Sequence, residues 1–323
     1  MIIPQYWAEA RIQLRDKRQS ITLRRFGWSD ESQESAQAHA QKRVNEAFDL
    51  LSSGEMPGRR ELKRAYNGSE GVPIREEILG RMDNAVLTRN LYGATCLNTP
   101  DVLFADVDTE EWPSLGFYIL VDAILVILGV VLCSILFPKI WAVGFLFAAL
   151  GPFVTKPIHQ SFYAQRGGAK QVALDRIRNF VLRHPEWHLR VYETPAGWRT
   201  LALHQTFQPS ATEVSDFFHA IQADPVYVRM CKNQNCFRAR VSPKPWRIGI
   251  KSHLKPRPGV WPIPPERLHD RERWVREYEA RAEDFASCRF VEEIGSSTIS
   301  AEAERVMILH DKLCQATSPL PLA

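Results

Sequence analysis

Several familiar signatures are missing from this sequence. The N-terminal stretch MIIPQYWAEARIQLRDKR has no basic segment leading into an apolar one, so it does not read as a secretory signal. The six cysteines, at 96, 133, 231, 236, 288 and 314, form no CxxC pair. Cys231 and Cys236 stand five apart with no second pair to complete a zinc site, so the thiols read as reduced side chains in a reducing compartment. There is no internal repeat and no low-complexity tract. The net charge of +4 is too small to imply nucleic acid by itself, and 45% hydrophobic with 24% charged residues is ordinary for a folded chain. The 323 residues suffice for about two average domains.

What is present begins with an apolar run. Residues 116 to 137, GFYILVDAILVILGVVLCSILF, have the length of a bilayer-spanning helix, for which about 20 residues are needed. Pro138 and Lys139 interrupt the run, and IWAVGFLFAALGPFV follows at 140 to 154. The pattern predicts a transmembrane helical hairpin over 114–156, with a soluble part on either side of it, 1–113 and 157–323. Lys139 is the one cation of the turn, whereas Lys156, Arg166 and Lys170 follow the second run. That asymmetry favours soluble parts in the cytoplasm. Asp122 reads as an interfacial or protein-facing acid within the first run. Gly129, Gly144 and Gly151 would permit close helix packing, within the hairpin or between copies in a homo-oligomer, although no GxxxG pair is present.

The soluble parts mix strands and helices without a βαβ repeat. ARIQLRD and SITLRRFGW alternate as a β-hairpin, and a helix follows from caps at Ser29 and Asp30 to about Leu51. Residues 55 to 75 are loop-like, and AVLTRNLYG and DVLFADV read as strands. Beyond the apolar segment, a helix is expected from about Gly168 to Arg183, ended by His184-Pro185. WHLRVYET and WRTLALHQ form a hairpin around a Thr-Pro-Ala-Gly turn, and Ser210 with Glu213 suggests a capping box for a helix over 211–222. PVYVRMC, CFRARVS and CRFVEEI read as strands, with helices over about 265–284 and 300–314. The expected fold class is α+β: a mostly antiparallel sheet with helices on one face, interrupted by the hairpin. The two soluble parts would either complete one sheet or form two domains.

Three constellations could carry chemistry. The strand VLFADVD ends in Asp106 and Asp108, which as i and i+2 share a face and offer paired oxygens to Mg²⁺ or Mn²⁺. Without a cation or basic partner, that pair is costly on an apolar strand. Between Arg229 and Pro258 stand nine cations and no acid. Within that stretch Arg238, Arg240, Lys244 and Arg247 are candidate phosphate ligands, and Trp246 could stack on a base. The same surface would also suit anionic lipid. Third, TPAGWRTLALHQ carries Arg199, a further phosphate-binding candidate, and His204, the candidate catalytic group. Strand alternation points these two to opposite faces.

RRFGWSD at 24–30, YNGSEGVPIREEI at 66–78, LNTPDVLFADVD at 97–108 and FRARVSPKPWR at 237–247 give the chain a resemblance to a family of uncharacterised bacterial inner-membrane proteins. The motif order also loosely resembles the catalytic core of archaeo-eukaryotic-type primases. In that comparison Asp106 and Asp108 match the DxD strand, Ala202-Leu203-His204 the small-x-His strand, and Asp224 the third acidic position. A membrane hairpin between the first two motifs departs from that family's pattern. Metal-dependent glycosyltransferases share DxD, but no nucleotide-binding βαβ start lies upstream. Haloacid-dehalogenase-type phosphatases need Thr or Val two positions after the second Asp, where this chain has Glu110.

The sequence thus leads to two expectations. One is a membrane-anchored, metal-dependent protein that handles nucleotides or polynucleotides by phosphoryl or nucleotidyl transfer. The other is a non-enzymatic membrane scaffold whose basic loop binds anionic lipid or a protein partner.

Overall fold

In the computed structural model, residues 3–16, 19–55, 73–109, 113, 115–136, 138–256 and 261–323 are described. The N-terminal alternation folds as expected. Strands β1 (Tyr6–Asp16) and β2 (Gln19–Ser29) pair antiparallel with Trp7 opposite Trp28, and helix α1 (Gln33–Ser52) lies on them. Ala36, Ala40 and Val44 of α1 pack on Ala8, Ala10 and Leu23. The contact is close because Gly27 has no side chain: a Cβ there would sit 2.1 Å from the Ala40 nitrogen. The helix cap is Ser32, whose hydroxyl accepts from the Ser35 amide at 3.1 Å, rather than Ser29 or Asp30. Most of the loop expected at 55–75 lies outside the described residues.

Four short strands follow: β3 (Glu77–Met82), β4 (Ala85–Arg89), β5 (Thr95–Thr99) and β6 (Phe104–Asp108). The apolar segment then forms α2 (Leu115–Leu136) and leads into α3 (Gly151–Ala164), and beyond it come α4 (Ala169–Arg183), β7 (His188–Thr194), β8 (Gly197–Ala202), α5 (Thr212–Ile221), α6 (Pro225–Gln234), β9 (Phe237–Arg240), α7 (Leu268–Ala282), β10 (Arg289–Gly295) and α8 (Ala301–Cys314). The class is α+β with antiparallel pairing throughout these sheets. Two four-stranded sheets form, in the orders β3-β4-β5-β9 and β10-β7-β8-β6. Each draws strands from both sides of the apolar segment, so residues 113 and 157 bound an insertion and do not separate two fold units. One core containing Leu97, Phe104, Ile177, Leu189, Phe217 and Phe237 ties the sheets to the helices.

Three local expectations are corrected. PVYVRMC is not a strand but α6: Asp224 caps it, accepting from the Val226 amide at 2.9 Å, and Pro225 occupies the first turn. Its alternating valines mimic a strand, and the cap overrides them. Ser210 does not cap α5, which starts after Ala211 with no side-chain cap bond. Helices also cover both faces of the second sheet. Trp198 donates to the Lys170 carbonyl of α4 at 2.8 Å, while Tyr192 packs on His310 of α8 at 4.7 Å on the opposite face.

The apolar segment contains one helix long and apolar enough to cross a membrane. Helix α2 has 22 residues, a mean hydropathy of 3.0 in its best window, and only 11% of that window buried. At 1.5 Å per residue it is about 33 Å long. Among the described residues the expected second spanning helix is not seen. Residues 138–150 wind as a 3-10 helix, and α3 then begins at Gly151 and carries Thr155, Lys156, Pro157 and His159. The second apolar run is too short, and what continues it is polar. This return arm packs along α2, with His159 edge-on to Phe117 at 5.4 Å and Gly151 against Asp122.

Candidate functional site

Asp106 stands opposite Arg199 in the β6–β8 register, and the two side chains meet on the face covered by α8. Arg199 Nε and Nη2 donate to the two Asp106 oxygens at 2.7 and 3.2 Å, a bidentate pair. Arg199 is only 2% exposed, and its Nη1 also donates to the Arg240 carbonyl at 2.8 Å. Burial works against its charge, but the Asp106 carboxylate outweighs burial and holds the guanidinium firmly protonated.

Asp108 emerges two residues further along the same face, where β6 opens to solvent. The surrounding protein still withdraws water from its carboxylate, and this, together with the charges of Asp106 and Asp224, pushes its pKa up. Asp224 reaches the site because its amide donates to the Asp106 carbonyl at 2.9 Å, docking the start of α6 on β6. Three acids from two elements therefore converge at one strand end.

Cations face them from the segment after β9. Lys244 has its pKa lowered by burial and by Arg240 and Arg247, against the pull of Asp108 and Asp106. Arg247 is shifted down by burial and by Arg240, with Asp108 opposing. Arg240 Nε and Arg247 Nη1 are buried donors with no hydrogen-bond partner among the described residues. Beside them a cavity of about 240 Å³ is lined by Asp106, Asp224, Arg240, Tyr92 and Asn90 and by the Arg238–Glu76 pair. At its rim Trp246 is 57% exposed, edge-on to Tyr92 at 5.3 Å, with the Lys244 ammonium 5.5 Å from its ring centre.

The expected site residues therefore divide. Asp106, Asp108, Arg240, Lys244 and Arg247 are brought together, and Asp224 joins them. Arg199 and Arg238 are not available to phosphate: Arg199 is bound to Asp106, and Arg238 is buried in a 2.6 Å ion pair with Glu76. His204 lies beyond the far end of β8, five residues past Arg199, or roughly 17 Å at strand spacing. There its Nδ1 accepts from the His188 amide at 3.2 Å, and its ring rests against Trp187 and Phe207. That setting is structural, and it gives the catalytic assignment no support.

Sequence reasoning also missed two groups. Tyr92 stood in a segment read as strand, though it lies in the turn between β4 and β5. Cys288, His310 and Cys314 come together in the core, where the sequence had suggested no Cys/His cluster. The i, i+4 spacing of His310 and Cys314 on one helix was the available signal. Compared with protein-family models, curated proteins and solved structures, the chain matches none of them.

Proposed function

We propose that this is a membrane-anchored, metal-dependent protein that binds a nucleotide or polynucleotide and acts on its phosphates by phosphoryl or nucleotidyl transfer. The observation that carries the reading is the approach of cationic donors to three carboxylates at one strand end: Asp106, Asp224 and Arg240 line a common cavity, Asp108 acts on Lys244 and Arg247, and Arg240 Nε and Arg247 Nη1 are buried without a partner among the described residues. The hard oxygen donors of Asp108, Asp224 and the outer lone pairs of Asp106 suit Mg²⁺ or Mn²⁺. Arg199 uses only one side of the Asp106 carboxylate, so the ion pair fixes that ligand without consuming it. Bound there, the metal would neutralise charge developing on the transferred phosphoryl group. Arg240, Lys244 and Arg247 would hold phosphate oxygens, and exposed Trp246 would stack on the base. Helix α2 would anchor the chain in a bacterial inner membrane, with the return arm beside it and the sheets on the cytoplasmic side.

The test is calorimetric titration of Mn²⁺ with a nucleoside triphosphate into detergent-solubilised protein, wild type beside Asp108→Asn. Asp108 is the suitable position because Asp106→Asn would also strand Arg199. Expected is metal-dependent binding, weakened at least tenfold by the substitution. Absence of nucleotide binding in the wild type, or equal binding in both, retires the reading in favour of a scaffold whose basic loop contacts lipid or a partner.

A further inference from the structure

Behind the Asp106–Arg199 pair lies a second cluster of different chemistry. Cys288 sits just before β10, and His310 and Cys314 are one turn apart on α8. All three are buried, at 0%, 0% and 1% exposure. His310 Nε2 is 3.4 Å from Cys314 Sγ and 3.9 Å from Cys288 Sγ, and the three ligand atoms lie within 4.8 Å of one another. A tetrahedral zinc centre with bonds of about 2.3 Å to sulfur and about 2.0 Å to nitrogen has sulfur–nitrogen edges of roughly 3.5 Å and a sulfur–sulfur edge of roughly 3.8 Å. The two sulfur–nitrogen spacings bracket the first edge, and the sulfurs lie within 4.8 Å of each other, so a movement of about 1 Å or less closes the three groups around an ion.

The surroundings orient the imidazole as metal sites do. His310 Nδ1 is 3.3 Å from Asp311 Oδ1. That carboxylate is itself fixed by the Tyr192 hydroxyl and by Arg190 Nη2, both at 2.6 Å. With Nδ1 donating to Asp311, the Nε2 lone pair faces the thiols, the carboxylate–histidine arrangement that supports metal ligation.

We propose that Cys288, His310 and Cys314 bind one zinc ion that ties α8 to the strand edge behind Asp106. Binding releases one proton from each thiol to solvent, and the two thiolates balance the divalent charge. The buried centre is then neutral overall, as a water-poor interior demands. Arg199 Nη1, 3.4 Å from His310 Nε2, meets the same lone pair and must yield it to the ion; it keeps its 2.8 Å bond to the Arg240 carbonyl, and Arg199 keeps its counter-charge in Asp106.

Metal content of the purified full chain, reconstituted with excess Zn²⁺ and then dialysed, tests this independently of any activity. Expected is about one equivalent per chain, retained by Asp108→Asn and lost by Cys314→Ser. Cobalt(II) should replace it and show thiolate charge-transfer absorption. Less than a tenth of an equivalent in folded wild type overturns the proposal, whether the two sulfurs titrate as free thiols or prove joined as a disulfide. Zinc lost by Asp108→Asn but kept by Cys314→Ser overturns it too, placing the ion at the acidic edge. Since the wild-type result stands alone, a variant that fails to fold does not shield the idea.

Discussion

Arg238 and Arg240 are two residues apart on β9 and share a face, yet they serve opposite purposes. Arg238 is 8% exposed and bound to Glu76 at 2.6 Å. Both line the cavity, but Arg240 has no such acid, and its Nε has no partner among the described residues. Arg199 repeats the first case and Arg247 the second. A basic segment is therefore not one functional unit: part of it is internal scaffolding neutralised by acids from other segments, and part keeps a buried donor unpartnered among the described residues. What separates the two is whether an acid from a distant segment reaches the guanidinium.

Breaking a scaffold pair should have the largest effect. Glu76→Ala leaves Arg238 buried and uncompensated, a loss of about 3–5 kcal/mol. A matching fall in unfolding free energy by denaturant titration is expected, and an unchanged value would show that Glu76 is not what compensates Arg238. Arg240→Ala should do the reverse. Its stability should stay within about 1 kcal/mol of wild type, while affinity for a metal–nucleoside triphosphate drops by about 1.5–3 kcal/mol, the worth of a hydrogen bond to a charged group. Trp246→Ala should be milder still on folding, since the ring is mostly exposed, and should cost about 1–3 kcal/mol of binding per stacked base. Titration with inorganic triphosphate beside the nucleotide sharpens this, because only the nucleotide should feel the loss of Trp246.

Much of the fold was legible in local pattern. The β1–β2 hairpin, α4, the β7–β8 hairpin, α7, β10 and α8 each carry a strong period or punctuation, and each forms where that pattern puts it. β3 was missed because EILGRM has a glycine and a bulge that break its alternation. β5 was missed because TCLNT is short and polar, with an asparagine whose side-chain amide donates to the Val86 carbonyl of β4. At the site, Asp106 and Asp108 were readable because i, i+2 geometry is local. The pairing of Arg199 with Asp106 was not, because it depends on the β6–β8 register across 93 residues. Nor could sequence show that Glu76, 162 residues from Arg238, would take that arginine out of the phosphate-binding set.

His204 offers the smallest and most specific test, since it sets the far end of β8 against the site at the near end. Burial lowers its pKa from the ordinary 6.5, although the Glu186 carboxylate pulls the other way. The His188 amide donates to Nδ1, a bond that an imidazolium cannot accept. The unfolded chain therefore binds this proton at a higher pH than the folded one. The stability His204 confers is fully present above pH 6.5 and is lost as pH falls from there through the folded-state value. One proton of difference gives a slope of at most about 1.4 kcal/mol per pH unit. His204→Asn removes the titration while keeping an acceptor, so its stability should fall less than that of wild type between neutral and mildly acid pH. Nucleotide affinity at neutral pH should be unchanged by this substitution. A large loss of affinity would return His204 to the site, and identical pH profiles would show that its burial does not govern its protonation.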